Sequence, residues 1–389
     1  MYSDKRAALL PLEGVKVVDF SQGVAGPYAG LLLALQGADV IKVEPPSGDW
    51  GRGLGTAYGD FSAFSVYYNR GKRSIALDLK SKDGHEAALR LAKEADIIIE
   101  AFRPGVMARY GLDCDTLSAS NPKLIYLSVT GYGQEGSMIN LPATDAVIQG
   151  YSGLMHLNRD KDGVPQRFPM IVIDVVTGIY AAQAIEAAFI GALRFGKGQY
   201  IDCNLLQCAA AFQAPRLMEH HFEGGNPPIM YVPVGVLETS DGHVSVSVMR
   251  DHHFVAFCEA MGRPDLTQIE RFKKRVDRIT NEVELMSIIR EELRGRSTLE
   301  WSRRFTAAGV LHATVRTYQQ VLADEEMMAH RYMEWLPHQH LAGSVPLANV
   351  PGALRASEMG QLSECPTIGQ HTNEILAEIG MPVSPEKVS

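Results

Sequence analysis

A short β-branched run followed at once by a glycine-rich turn, an apolar helix and a second strand limits the folds open to this chain more than any other feature. The run is Val15 to Phe20 (VKVVDF), and it ends at the turn signals Gly23 and Gly26-Pro27. Pro27 suits the first turn of a helix, where its missing N–H has no partner to lose, and Tyr28 to Leu35 continues with an apolar face. Gly37 is placed to stop that helix, and Ala38 to Val43 reads as the next strand. Strand, helix, strand in this order implies neighbouring parallel strands joined by a right-handed crossover. The pattern recurs. Asp83-Gly84 starts a helix whose Ala87, Ala88, Leu91 and Ala92 share one stripe, Ile97 to Ile99 is the strand after it, and Leu124 to Val129 is another, closed by Thr130-Gly131-Tyr132-Gly133. Such alternation predicts an α/β class with an open parallel sheet, which takes ligands at the carboxyl ends of its strands. The turns after Phe20, Val43, Ile99 and Val129 are therefore the expected lining of a site.

The texture changes near Gly224-Gly225-Asn226-Pro227-Pro228. Val232 to Val248 reads as a hairpin around Ser240-Asp241-Gly242, and charge-rich helical stretches follow. With 389 residues to place, the chain divides into a large α/β domain over 1–224, a smaller α+β domain over 225–331, and a strap over 332–389 that returns to the large domain. Lys plus Arg number 37 against 45 Asp plus Glu, so 37 − 45 = −8, which disfavours a general nucleic-acid surface. Cys114, Cys203, Cys208, Cys258 and Cys365 are scattered with no Cys-x-x-Cys spacing, which points to a reducing cytoplasm and away from a zinc cluster. The pairs His220-His221 and His252-His253 do not suggest a metal either, because adjacent side chains point in different directions. The N-terminal residues lack a leader-like apolar core, and no run approaches the roughly 20 apolar residues of a membrane span.

The first turn, Ser21 to Pro27, invites a dinucleotide reading with Glu44 as the ribose-binding acid. Gly23 and Gly26 are three apart with no Gly-x-Gly-x-x-Gly, so a nicotinamide enzyme is poorly supported. The turn still offers backbone N–H groups to an anion at a helix start. Cations cluster around the same strands: Lys42, Arg70, Lys72, Arg73, Arg103 and Arg109. In a net acidic chain they suggest a polyphosphate pocket. Asp174 follows the apolar run Met170 to Ile173 and opens a helix read as buried from Val175 to Leu193. A carboxylate in such a frame is either a helix cap or a group put to chemical use.

These residues together resemble the class III coenzyme A transferases, the family of formyl-CoA and carnitine CoA transferases that also contains α-methylacyl-CoA racemase. The resemblance is carried by LEGVKVVDFSQGVAGPYAG, GADVIKVEPP, NRGKRSIALDLKS, EAFRPGVMARYGL, LIYLSVTGYGQEG, GKGQYIDCNLL and the Asp174 segment, and it runs from Leu12 to Met381. It implies a nucleotide-binding-like large domain, a smaller domain, and a homodimer of interlocked chains. It places coenzyme A along the strand ends, at Val24, Ala25, Lys72, Arg73, Ala101, Phe102, Arg103, Arg109 and Thr144. Pro45 stands where family members often carry a cation after the Glu44 equivalent.

Within this family, transfer and racemisation part at Thr144-Asp145. A racemase needs two acid/base groups on opposite faces of a carbon, and its branch has a His where this chain has Thr144. The transferase branch has an acid at Asp145 and a nucleophilic aspartate at Asp174, and both are here. The resemblance thus implies acyl transfer through aspartyl anhydride and aspartyl-CoA thioester intermediates, with Gly131 and Gly133 offering backbone N–H groups to the oxyanions. An isomerase, an intramolecular CoA transferase and a non-catalytic CoA-binding protein stand as alternatives. Tyr58, Met155, His156, Arg167 and Tyr231 are candidates for the acyl pocket.

Overall fold

The computed structural model describes residues 10–225 and 229–383. They form two compact units, one from residues up to Ala214 together with those from Met328 onward, the other Pro215–Met327. The first border falls ahead of the composition break at Gly224 because the helix Ala214–Phe222 belongs almost entirely to the second unit. Contacts, rather than glycine and proline content, set it. Asn226-Pro227-Pro228 lies outside the described residues.

The larger unit is built on a six-stranded sheet. Its strands are β1 (Lys16–Asp19), β2 (Asp39–Glu44), β3 (Lys72–Ala76), β4 (Ile97–Glu100), β5 (Ile125–Thr130) and β6 (Gln199–Asn204). They pair in the order β3-β2-β1-β4-β5-β6, all parallel. This is the doubly wound order, with the switch point between β1 and β4, where the crossovers change sides. The helices that concern the site are α1 (Ala25–Ala34), α2 (Ala63–Asn69), α3 (Lys82–Glu94), α4 (Asp145–Tyr151), α5 (Val172–Phe195) and α6 (Leu205–Phe212). Successive strand residues feed opposite cores, as a period of two requires. Val17, Ile97 and Ile99 join the layer of α1 and α5, while Val18 and Ile98 join that of α3. The edge strands β3 and β6 are the ones the sequence left unassigned, and each is interrupted by charged or polar side chains.

Helix α5 starts earlier than the sequence suggested, at Val172, and Ile171 is its N-cap with no side-chain cap bond. Asp174 is therefore the third residue of the helix and not its cap. Nor is the helix buried all round. Ile173, Thr177, Ala181, Ile185, Ala188 and Ala192 face the core, but Ile179 (47%), Ile190 (56%) and Leu193 (72%) are exposed. At 24 residues it is also long and apolar enough to cross a membrane by length and composition, a property it owes to having one face in the core and another left apolar at the surface. Gly178 sets the closeness of α5 to α1: a Cβ there would lie 2.9 Å from the Ala25 carbonyl oxygen and 2.9 Å from Tyr28 Cβ.

A buried ionic network ties the first three strands together. Lys72 Nζ donates to Asp19 Oδ2 (2.9 Å), the Pro27 carbonyl (2.8 Å) and Asn69 Oδ1 (3.1 Å). Lys42 pairs with Asp49 at 2.9 Å and donates to the Ser21 carbonyl. Asp49 Oδ1 in turn accepts from Gly23 and Gly51 N–H, each at 2.8 Å. Arg52 grips Glu44 at 2.6 and 2.7 Å, and Ser74 Oγ donates to the same carboxylate at 2.8 Å. Burial alone would raise the Asp19 pKa, but Lys42 and Lys72 more than offset it and hold it below the usual carboxylate value. The smaller unit has its own three-stranded antiparallel sheet, with the anticipated hairpin Val234–Glu238/His243–Ser247 and a core around Phe254, Phe257, Trp301 and Phe305. The C-terminal segment returns to the larger unit, where the His371 N–H donates to the Ser74 carbonyl at 2.9 Å.

Two predictions follow from these contacts. Lys42→Met leaves Asp19 and Asp49 short of a buried cation and is expected to lower stability at pH 7 by about 3–5 kcal/mol in urea unfolding, with Asp49→Asn in the same chain recovering part of it. Gly→Ala inside a helix ordinarily stabilises by up to about 1 kcal/mol. Gly191→Ala, where a Cβ meets nothing within 4 Å, is expected to follow that rule. Gly178→Ala is expected to destabilise by about 1–3 kcal/mol, the opposite sign in the same helix.

Candidate active site

A cleft of about 360 Å³ opens where the carboxyl ends of β1, β4 and β5 meet α5. Its walls are the β1–α1 turn (Gln22, Val24, Ala25), the segment after β4 (Ala101 to Pro104), the end of β5 (Val129 to Tyr132), the stretch Ile139 to Asp145, and Trp50. Asp174 faces into it from the first turn of α5.

The placement of Asp174 follows from how the start of α5 is satisfied. The first N–H groups of a helix have no partner within it, and Ile171 has no polar side chain to cap them. Asp145 supplies the missing acceptor from another element: its Oδ1 takes the N–H of Ile173 at 2.6 Å and of Asp174 at 3.3 Å. Asp145 is buried at the first position of α4, whose own cap is Thr144, accepting from the Val147 N–H at 3.4 Å. Burial, together with the nearby Asp145 charge, pushes the Asp174 carboxyl up to about 7. Among the described residues Asp174 has no ion-pair partner, so nothing offsets that cost. A carboxylate this poorly solvated and unpaired is a stronger base and nucleophile than one in water.

Val24, Ala25, Ala101, Phe102, Arg103, Gly131, Thr144, Asp145 and Asp174 all line this cleft. Val24 and Ala25 form the start of α1, so they contribute backbone and apolar surface. Arg103 is exposed and is in no ion pair among the described residues, which leaves its guanidinium available to an anion. Four of the anticipated residues lie elsewhere. Lys72 and Arg73 are at the amino end of β3, away from the ligand edge, and both are committed: Lys72 to Asp19, and Arg73 to Asp39 (2.6 Å), Glu374 (2.9 Å) and Glu378 (2.7 Å). Arg109 ends a short helix, Val106–Arg109, outside the cleft wall. The Gly133 N–H is donated to Thr130 Oγ1 at 2.9 Å, so it does not point at a substrate. Lys42 and Glu44 are fully engaged in the buried network, and Arg70 is buried. Tyr58, Met155, His156 and Arg167 do not line the cleft, and Tyr231 belongs to the smaller unit.

Sequence reasoning passed over Trp50 and Gln149. The Trp50 indole sits on the Gly23 turn, where a Cβ on Gly23 would meet it at 2.1 Å, and it forms one wall of the cleft. Gln149 hydrogen-bonds the Asp145 carboxylate at 2.6 Å. Its spacing four residues after Asp145 on a helix is the signal that could have found it.

Residues 12–372 match CoA-transferase family III. The chain is 34% identical to succinate–glutarate CoA-transferase of Agrobacterium fabrum over 95% of its own length and 96% of that protein. It is 33% identical to the human succinyl-CoA:glutarate CoA-transferase, covering 95% of this chain and 86% of the other. A crystal structure of a CAIB/BAIF family protein from Brucella suis superposes with a TM-score of 0.84 at 32% identity, over 95% of this chain and 99% of that one. With an aspartate presented by a helix start at the strand ends, and a match that spans both units, the chain belongs to CoA-transferase family III.

Proposed function

We propose that this enzyme moves coenzyme A from an acyl-CoA thioester to a carboxylic acid, with Asp174 as the acyl-accepting nucleophile. The observation that carries the reading is the Asp174 carboxylate itself, unpaired among the described residues, facing the cleft and held near neutral pKa by burial. Asp174 attacks the donor thioester carbonyl, forming a mixed anhydride and expelling the CoA thiolate. The thiolate attacks the Asp174 carbonyl, which releases the donor acid and leaves an aspartyl-CoA thioester. The acceptor carboxylate then attacks that carbonyl, making a second anhydride and freeing the thiolate again. Attack of the thiolate on the acceptor acyl carbon yields the new acyl-CoA and restores Asp174. Division of one hard exchange into four acyl substitutions is the gain from covalent catalysis.

Arg103 is the residue best placed to bind CoA phosphate, and Val24 and Ala25 offer surface to its pantetheine arm. The N–H groups around Gly131 are the remaining candidates for oxyanion stabilisation. Racemisation would need a second acid/base group beside Asp174. Thr144 occupies that position, and its hydroxyl is used as a helix cap. The names of the relatives make succinate and glutarate the first acids to test as donor and acceptor. The exposed apolar side of α5, with Ile179, Ile190 and Leu193, supports a homodimer, and its mass by light scattering is expected at twice 42.6 kDa.

Incubation with succinyl-CoA followed by hydroxylamine and peptide mass spectrometry is expected to place the label on Asp174. Absence of an adduct, together with α-proton exchange in deuterated water, would overturn transfer in favour of an isomerase. Asp174→Asn is expected to lower kcat by about a thousandfold or more. The pKa has a signed consequence for stability as well. A carboxyl raised to about 7 when folded keeps its proton while the unfolded chain loses it, so wild type loses stability as pH rises through the range between the ordinary carboxylate value and 7. Asp174→Asn removes that penalty, so it should melt above wild type at pH 8 and level with it at pH 4.

A further inference from the structure

We infer that Gln149 is a positioning residue for Asp174: it locks the Asp145 carboxylate against the first turn of α5 and ties that turn to the backbone entering it. The inference rests on the assignment of Asp174 as nucleophile. Gln149 is wholly buried. Its Oε1 accepts the Phe168 N–H at 2.9 Å. Its Nε2 donates to Asp145 Oδ2 at 2.6 Å and to the Met170 carbonyl at 3.1 Å, with the Phe168 carbonyl further away at 3.4 Å. These partners allow one amide orientation, since only the oxygen can accept an N–H and only the nitrogen can donate to a carboxylate. Asp145 and Gln149 lie one turn apart on one face of α4. One oxygen of Asp145 is thereby occupied by Gln149, and the other is turned to the N–H groups of Ile173 and Asp174.

The arrangement exports a helix cap. Ile171 has none to give, so the cap comes from α4, and it is a carboxyl group beside the nucleophile. The charged and titratable groups that bear on Asp174 come from several elements. Asp145 stands on α4, and Tyr68 on α2 feels the Asp174 charge. Tyr28 on α1 packs where α5 passes closest, and Arg103 lines the same cleft. The Cys203 and Cys208 thiols lie 3.6 Å apart, with Cys203 Sγ 4.0 Å from the Thr177 carbonyl one turn along. Of these only Asp145 touches the Asp174 backbone. One carboxylate therefore orients the nucleophile through its N–H and adds its charge to the burial that keeps it basic, and Gln149 holds that carboxylate to both tasks.

Asp145→Asn removes the charge and, with its oxygen kept on the cap, turns an NH2 toward Gln149 Nε2, so the anchor goes with it; Gln149→Leu keeps the charge and removes the anchor alone. Asp145→Asn is expected to move the acid limb of the kcat profile down by about one pH unit. Gln149→Leu is expected to lower kcat about tenfold or more while KM for the acyl-CoA stays unchanged. Peptide-resolved carbodiimide labelling of Asp174 across pH reads the same shift without turnover. A wild type that shows no hydroxylamine adduct would refute the nucleophile assignment, and the carbodiimide curves would still decide the effect of Asp145 on Asp174. If the Asp145→Asn curve coincides with wild type, or if a folded Gln149→Leu enzyme keeps its kcat, the positioning role is wrong. Should Gln149→Leu not fold, Gln149→Asn, whose shorter amide cannot reach Asp145 and the Phe168 N–H together, decides by the same kcat and KM readings.

Discussion

Two lysines buried beside the first turn of the sheet support the rest of the site. Lys42 and Lys72 share Asp19 and, through Asp49, reach the N–H of Gly23. Ion pairs in such a dry place are costly to assemble and worse to break, since removal of one partner leaves a charge without solvent or counterion. The network therefore leaves the β1–α1 turn little freedom. That turn forms one wall of the cleft, and Trp50, which lies on it, forms part of another.

The second constraint is the start of α5. Its residues are apolar because one side of the helix fills the core beside α1, so the chain has an isoleucine where a capping side chain would ordinarily stand. Satisfaction of its first N–H groups falls to Asp145, and proximity of the two carboxylates is the result. The same geometry that completes the helix thus adds to the burial that raises the Asp174 pKa. Stability and chemistry meet in one carboxylate, and the strain of an unpaired, poorly solvated charge is located where catalysis can use it.

Much of the larger unit was legible in the chain. Strands β1, β2, β4 and β5 and helices α1 and α3 announce themselves by β-branched runs, glycine stops and the alanine–leucine stripe of residues 87–92. The edge strands β3 and β6 were not, because KRSIA and QYIDCN mix charged or polar with apolar residues and carry no clear strand period. Among site residues, Asp174 and Asp145 stood out as acids next to apolar helices, and Arg103 as a cation just past a strand. Lys72 and Arg73 misled for a physical reason: residue type does not reveal which end of a strand a side chain occupies, nor whether an acid elsewhere has already claimed it. Glu374 and Glu378, some 300 positions away from Arg73 in sequence, could be matched to it only by the returning C-terminal segment.

The sequence by itself determined the alternation of strands and helices, the parallel sheet and the family, and it singled out Asp174 as the carboxylate proposed for acyl transfer. These are local properties, set by hydrophobic period, turn chemistry and short phrases read in order. The tertiary structure alone decided which cations face the cleft, that Asp174 sits within the first turn of its helix and not at its cap, and that Asp145 and Gln149 stand behind it. Each of those depends on which long-range acceptor or counterion lies within about 3 Å, a distance that spacing along the chain does not encode.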